Sequence, residues 1–339
     1  MRRKFSTNLK EKDVTPPEVF FNRREFMKIG ATGALMAGMT AMCGPAVPAD
    51  ESKVLKIPFT RPGVFPAKRN EAYKVPDMIP KVLTPRMSAA THNNFYEFLS
   101  GQGGPVYKYV DDFKASPWKV EITGLCNNPM TLDLDDLFAF PHQERLYHFR
   151  CVERWAMTLP WSGFPLAELI KKADPKSEAK FVRFESANRP KQMPGLASAG
   201  YYPWPYHEAL RLDEAMNELA MVVTGVYGEP LPIQHGSPLR IIVPWKYGYK
   251  NPKSIVKIEF VKSQPKTFWM VQPHEYGFLS NINPNIPHPR WSQATSHWLH
   301  NREEFPTPIF NGYEKYVADL YPDEPRTPQK PLRAGQVAR

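Results

Sequence analysis

Apolar and polar positions along this chain trade places every few residues, more often with a period of two than with the longer period of a helix. Residues 118–124 (WKVEITG) and Phe181–Ser186 alternate as half-buried strands do, and Ile255–Val261 (IVKIEFV) alternates again. Met221–Val226 and residues 239–243 are largely apolar runs bounded by Gly and Pro, the pattern of strands covered on both faces. Two stretches read as helices. Residues 131–138 carry Asp133, Asp135 and Asp136 near the N-terminal half, where carboxylates suit the helix dipole. Residues 166–172 follow Pro165, whose fixed φ suits a helix start. Many short strands with few helices predict an α+β fold with mixed sheets and many loops.

The 37 prolines are spread along the chain, and no Gly/Ser- or Pro-rich linker interrupts residues 110–300. That predicts a single body over residues 91–320. Residues 50–90 are rich in Pro and Lys with little periodicity, so they read as an extended arm around it. Residues 321–339 are Pro- and charge-rich and read as a disordered tail.

The N-terminus carries an address. Arg23-Arg24 are followed by Glu25-Phe26-Met27-Lys28 and a weakly apolar run over residues 29–42, too short to span a bilayer comfortably. Val47-Pro48-Ala49 then places small residues where a signal peptidase cuts. Residues 1–49 are therefore expected to be a twin-arginine signal, removed on export of a folded protein to the periplasm. The bland alternative is a basic amphipathic N-terminus with no targeting role. Cys43 follows Met42, which is not the small residue that a lipid anchor requires. No later stretch is apolar enough to cross a membrane, so the mature chain is expected to have no transmembrane segment. The formal charge is +10; residues 1–49 hold eight Lys/Arg against four Asp/Glu, so their removal leaves +6. That excess, without basic blocks interleaved with aromatics, argues against nucleic-acid binding. It suits docking on an anionic membrane or an acidic partner.

Two cysteines remain after residue 49, Cys126 and Cys151. In an oxidising compartment they are candidates for a disulfide, but export in a folded state means folding in a reducing cytoplasm. Cys126 follows an alternating strand and reads as a small hydrophobe. Cys151 is flanked by Arg150 and Arg154, which are expected to lower the thiol pKa and favour the metal-binding thiolate. No C-x-x-C or H-x-x-x-H occurs, which disfavours a zinc site, and none of the nine histidines sits in a motif diagnostic of a Cys-His hydrolase. A lone thiolate suits a metal held mostly by an organic cofactor. An exported binding protein with an inert Cys151 remains a rival reading.

Several blocks carry a resemblance. They are Val19-Phe20-Phe21-x-Arg23-Arg24, Asn93-Asn94-Phe95-Tyr96-Glu97-Phe98, Arg150-Cys151-Val152-Glu153-x-Trp155 and Gly225-Val226-Tyr227-Gly228. Further on come Pro238-x-Arg240-x-Ile242-Val243-Pro244-Trp245-Lys246-Tyr247-Gly248, Glu275-Tyr276-Gly277-Phe278, Pro289-Arg290-Trp291-Ser292-Gln293-Ala294-Thr295 and Asn311-Gly312-Tyr313. In this order the chain resembles the catalytic subunits of periplasmic protein-methionine-sulfoxide reductases, molybdopterin enzymes of the sulfite-oxidase superfamily.

The resemblance implies a sulfite-oxidase-type molybdopterin-binding fold and one Mo-molybdopterin per chain, with Cys151 as the protein ligand of molybdenum. It implies that Asn93, Tyr96, Glu97, Ser186, His235, Arg240, Asn251, Pro252 and Lys253 hold the cofactor. Arg240 and Lys253 suit a phosphate, the amide and hydroxyl groups suit pterin edges. Taken alone, Arg240 also reads as a solvated strand-end charge, His235 as a turn histidine and Glu97 as a surface carboxylate. Two positions depart from the family pattern. Ser186 replaces a frequent Thr and keeps the hydroxyl. Asn251-Pro252 replaces Gly-Ile, and Pro252 has no backbone N–H to donate. The implied reaction transfers oxygen from methionine-sulfoxide residues of oxidised periplasmic proteins to molybdenum, with electrons from the quinone pool through a haem-bearing membrane subunit. Glu153, Tyr276 and Trp291 are the expected substrate-pocket residues, with Trp291 stacking on the thioether; aromatic core packing is their bland alternative. A sulfite oxidase, which binds an oxyanion among arginines, is the nearest rival. Only roughly 85 residues follow Lys253, short for the extra domain of the larger members.

Overall fold

The computed structural model describes residues 51–99, 105–330, 332 and 338; Arg23, Arg24, Cys43 and the expected cleavage site lie outside them. The twelve strands are β1 Lys119–Gly124, β2 Met130–Asp133, β3 Gln143–Arg150, β4 Trp155–Pro165, β5 Phe181–Ser186, β6 His207–Arg211, β7 Met221–Val226, β8 Glu229–Pro230, β9 Arg240–Ile242, β10 Ile255–Val261, β11 Thr295–Trp298 and β12 Glu304–Pro306. They form two mixed sheets. The first runs β2-β1-β10-β5-β6, parallel only between β1 and β10. The second runs β12-β11-β4-β7-β8, with β3 also on β4, β9 also on β7, and β11 parallel to β4. Helices are short, so the α+β architecture with mixed sheets is as the alternation indicated.

The longest hairpin gave no alternating signal. In β4 every residue from Trp155 to Phe164 is buried, so both faces are apolar and the period of two disappears. Between β3 on one edge and β7 on the other, β4 has a register shift against β7 at Ser162/Gly163; a Cβ on Gly163 would lie 2.0 Å from the Val222 carbonyl oxygen.

The expected helix over residues 131–138 is corrected to strand β2 followed by a helix over Leu134–Phe138. Leu132 is buried in the β1 pairing, and Asp133 caps the helix. The Asp136 N–H donates to Asp133 Oδ1 at 3.0 Å while the Asp133 N–H donates to Asp136 Oδ2 at 3.0 Å. The second helix spans Leu166–Ala173, with Pro165 at its N-cap.

Residues 55–85 contain no helix or strand beyond isolated bridges and lie along the β3–β4 hairpin. Glu144 exchanges backbone hydrogen bonds with Lys68 and Asn70, and Thr84 bonds to Thr158. The reading of 321–339 as disordered fails over its first part, because Tyr321 and Glu324 have partners in the core. The Tyr321 hydroxyl donates to Glu214 at 2.6 Å and accepts from Trp245 Nε1 at 2.9 Å, and Glu324 accepts from Asn281 and Asn283 at 3.0 and 2.9 Å. Composition could not show this, since each of those partners is far away in sequence.

Candidate active site

Cys151 occupies the turn of the β3–β4 hairpin. Its N–H donates to the Trp155 carbonyl, its carbonyl accepts from the Arg154 N–H, and Arg154 takes a left-handed φ of 77° to close the turn. The thiol opens into a cleft lined by aromatic and polar side chains. Strand ends, the stretch 233–253 and the helix Tyr96–Leu99 supply the walls. The backbone of that helix is approached closely by Gly195, where a Cβ would lie 2.2 Å from the Tyr96 carbonyl oxygen.

One end of the cleft is cationic. Arg240 opens β9; its Nη1 donates to the His235 carbonyl at 3.0 Å, its Nη2 faces the Asn251 carbonyl at 3.4 Å, and its Nε has no partner. The guanidinium lies near the rings of Trp161 and Phe149, at 5.1 and 5.8 Å from their centroids. Lys253 lies over Gly236, a φ +102° residue whose added Cβ would be 2.7 Å from Lys253 Cβ, and its ammonium sits 4.8 Å from the centre of Phe95. Among the described residues no carboxylate reaches ion-pair distance of either cation. Burial pulls Arg240 down to about 9, and burial followed by the Arg240 charge pulls Lys253 down to about 8. Burial raises Glu97 to about 7 against the pull of Lys253, and burial plus the two cations lowers His235 to about 3, so that imidazole is neutral.

Beside these cations are acceptors without donors. Asn93 directs its amide nitrogen towards the Ala89 carbonyl and His235 Nδ1, both at 3.4 Å, and its buried Oδ1 is unpartnered. Gln234 uses its amide nitrogen on the Val54 and Ala90 carbonyls, leaving a buried Oε1 unpartnered. Buried polar groups in folded proteins are nearly always paired. Unneutralised cations next to unpaired amide oxygens fit a ligand with a phosphate and a hydrogen-bonding heterocycle, which is what a molybdopterin offers.

The same cleft carries the thiol. Asn94 Nδ2 donates to Cys151 Sγ at 3.6 Å and to Glu153 Oε2 at 3.0 Å, and Trp155 Nε1 donates to the same Glu153 oxygen at 3.0 Å. The expectation that Arg150 and Arg154 favour the thiolate is corrected. Arg150 turns away to Ser296 Oγ at 2.7 Å and to backbone carbonyls, and Arg154 reaches Thr295 and Glu304. Burial and then Glu153 push the Cys151 thiol well above its usual pKa, with Arg150 opposing only weakly. A bound cation deprotonates a coordinating thiol outright, so metal binding does not depend on those arginines. Among the described residues no cluster of three His, Cys, Asp or Glu is placed to hold a metal. Cys126 is buried and free, as is Cys151, so no disulfide joins them.

Asn93, Tyr96, Glu97, Cys151, Glu153, His235, Arg240, Lys253 and Tyr276 all line the cleft. Four expected residues do not. Ser186 ends β5, buried, with an unpartnered hydroxyl. The Asn251 side chain serves the scaffold: its Oδ1 accepts from the Val243 N–H, and its nitrogen donates to Tyr247 and Gly248. The Pro252 carbonyl accepts from the Ile241 N–H at 3.0 Å. Trp291 stacks on His288 at 4.4 Å and donates from Nε1 to the Val152 carbonyl at 2.9 Å. The lining also includes His92, Asn94, Trp155, Trp161, Tyr206, Tyr249 and Trp269, which sequence reasoning did not single out. Adjacency to Asn93 was a signal for Asn94; the aromatics carried none that separates lining from core.

A model of the oxidoreductase molybdopterin binding domain matches residues 106–269. The chain is 44% identical over 316 residues to the protein-methionine-sulfoxide reductase catalytic subunit MsrP of Burkholderia mallei, covering 91% of this chain and 92% of that protein. It is 42% identical over 320 residues to the MsrP of Ralstonia nicotianae, with 91% and 92% covered. Among solved structures, the sulfane dehydrogenase SoxCD from Paracoccus pantotrophus matches with a TM-score of 0.44 and 16% identity, over 76% of this chain and 63% of that one. Extended identity over nearly the whole length places this α+β chain, with its Mo-molybdopterin cofactor, in the family of protein-methionine-sulfoxide reductase catalytic subunits.

Proposed function

We propose that this chain reduces methionine-sulfoxide residues of oxidised proteins in the periplasm, with electrons delivered from the quinone pool by a haem-bearing membrane subunit. The observation that carries the reading is the make-up of the cleft: Arg240 and Lys253, with no ion-paired carboxylate among the described residues, line the same cleft as a single buried thiol. When bound, the cofactor would supply the two-electron redox centre that removal of the sulfoxide oxygen needs. Overall, sulfoxide, two electrons and two protons give thioether and water.

In this reading Arg240 and Lys253 hold the phosphate through charge-assisted hydrogen bonds. Asn93, Tyr96, Glu97 and His235 bond to the pterin, while Ser186, Asn251 and Pro252, which do not line the cleft, support its wall. Cys151 ligates the metal, with Asn94 orienting both Cys151 and Glu153. Tyr276 donates a hydrogen bond to the sulfoxide oxygen. Trp291, with its indole N–H on the Val152 carbonyl, shapes the site from behind; Trp155 and Trp269 line the cleft and offer the sulfur–aromatic contact. No helix among the described residues is long and apolar enough to cross a membrane.

The test is turnover of dimethyl sulfoxide, a methionine-sulfoxide protein and sulfite by one molybdenum-loaded preparation, with wild type, Cys151→Ser and Cys126→Ser compared. The expected outcome is reduction of both sulfoxides, no sulfite oxidation, loss of turnover in Cys151→Ser and near-normal turnover in Cys126→Ser. An alkoxide is a harder donor than a thiolate, so Cys151→Ser alters the metal even where the cofactor stays bound. Sulfite turnover without sulfoxide turnover would reverse the assignment.

A further inference from the structure

The loop over residues 288–293 reaches the reaction cleft from two sides. On one side, Trp291 Nε1 and Gln293 Nε2 both donate to the Val152 carbonyl, each at 2.9 Å. Val152 directly follows Cys151, and two donors satisfy both lone pairs of that carbonyl. On the other side, Arg290 Nη2 donates to the Tyr276 hydroxyl at 3.2 Å and to Glu275 Oε2 at 2.5 Å.

Arg290 is itself held. Its guanidinium lies 4.7 Å from the centre of the Trp291 ring, and Trp291 stacks on His288. The Glu275 carboxylate, 3% exposed, is faced by His288 Nε2 and His274 Nε2, each at 3.4 Å. The Tyr276 ring is fixed among Trp269, Tyr249 and His288, with centroids 5.1, 5.2 and 5.9 Å away. Arg290 has only donors, so it occupies an oxygen lone pair of the phenol and leaves the phenol hydrogen for the cleft that Tyr276 lines. Burial keeps the phenol well above its usual pKa, so that hydrogen is retained.

We propose that Arg290, anchored by Glu275, is a positioning residue that fixes the Tyr276 hydroxyl as a hydrogen-bond donor to the sulfoxide oxygen. The inference rests on the sulfoxide-reduction reading. A sulfoxide oxygen is a strong acceptor that gains negative charge as the S–O bond breaks, and a preorganised donor at that atom acts on kcat. Because one short loop holds both the residue after the metal ligand and the donor, it sets the separation across which the S–O group must fit.

The experiment is a double-mutant cycle on the molybdenum-loaded enzyme with dimethyl sulfoxide as substrate and a reduced dye as donor. Tyr276→Phe is expected to lower kcat roughly a hundredfold, the usual cost of one lost donor of this kind. Arg290→Met is expected to lower kcat about tenfold, KM changing little and molybdenum content staying at the wild-type level. The double variant is expected to match Tyr276→Phe alone, since no hydroxyl is left to position. Arg290→Lys, which keeps the charge but not the fork, recovers part of the loss. Losses that multiply in the double variant, a change in KM alone, or molybdenum lost from Arg290→Met would each overturn the proposal. Absence of sulfoxide turnover in the wild type would instead sink the functional reading beneath it.

Discussion

Residues 240–253 place four cations inside the protein, and two of them are treated differently from the other two. Lys246 meets Glu214 at 2.8 Å, the Leu279 carbonyl at 2.7 Å and Asn281 at 2.9 Å, and Lys250 meets Glu208 at 2.6 Å and the Ala209 carbonyl at 2.8 Å. Both have a carboxylate partner from the fold itself. Arg240 and Lys253 have carbonyls, aromatic faces and no ion-paired carboxylate among the described residues. A buried charge without a counter-charge is costly, and a fold keeps one where something else supplies the anion. The contrast separates cations that build the core from cations that wait for a ligand, although they are neighbours in sequence; Lys246, Lys250 and Arg240 are buried, and Lys253 is partly buried.

The largest effect that sharpens this contrast is on stability. Lys246→Met strands the Glu214 carboxylate in the core and is expected to cost about 3–5 kcal/mol, read as a lower thermal midpoint of the cofactor-free protein. Arg240→Met in the same cofactor-free protein strands no carboxylate and is expected to leave the midpoint unchanged or raise it. Equal destabilisation by both would erase the distinction. Next in size is cofactor retention. Arg240→Met removes a charge-assisted contact worth about 1.5–3 kcal/mol and should lower molybdenum content, while activity per bound molybdenum stays near wild type. Full molybdenum with lost turnover would move Arg240 to the substrate and bring back the sulfite-oxidase rival.

The smallest effect is a pH dependence. Lys253 is lowered from 10.5 to about 8 in the folded chain, so between those values the unfolded state binds more protons. Stability of the cofactor-free protein should therefore rise with pH across that window, by at most about 1.4 kcal/mol per pH unit for one group. A bound phosphate favours the ammonium and should flatten the rise. Lys246, lowered to about 8 by burial, contributes alike with and without cofactor, so the difference between the two denaturation series isolates the ligand end. Superimposable series would mean that the anion never meets Lys253.

How much of this was legible in the chain depended on whether a residue's partners left a local pattern. Phe181–Ser186 and Ile255–Val261 have one face buried and alternate, so their ends were readable to the residue. β4 is buried on both faces and β3 leads into it, and that hairpin was seen only as a motif around Cys151. Asp133 was read as a helix-interior carboxylate, whereas its role is to end a strand and cap the next turn. In the site, residues within the quoted blocks were brought to one cleft. Trp291 was in such a block too, yet its indole bonds to Val152; sequence neighbourhood shows that a residue matters without showing which way it faces. Arg150 teaches the same lesson, adjacent to Cys151 in the chain and turned from its thiol in space.

Tyr321 and Glu324 carry a consequence for how the protein is made. The Tyr321 hydroxyl adds a donor to the Glu214–Lys246 pair, and Glu324 supplies a carboxylate oxygen each to Asn281 and Asn283. A ribosome delivers these residues after every strand named above, so the polar core stays incomplete until they emerge. The strands can pair while the chain is still growing, but the native interior closes after synthesis has passed residue 324. A chain cut short before Tyr321 would leave the buried Trp245 indole N–H and the Asn281 amide without the partners they have here, rather than merely lose a tail.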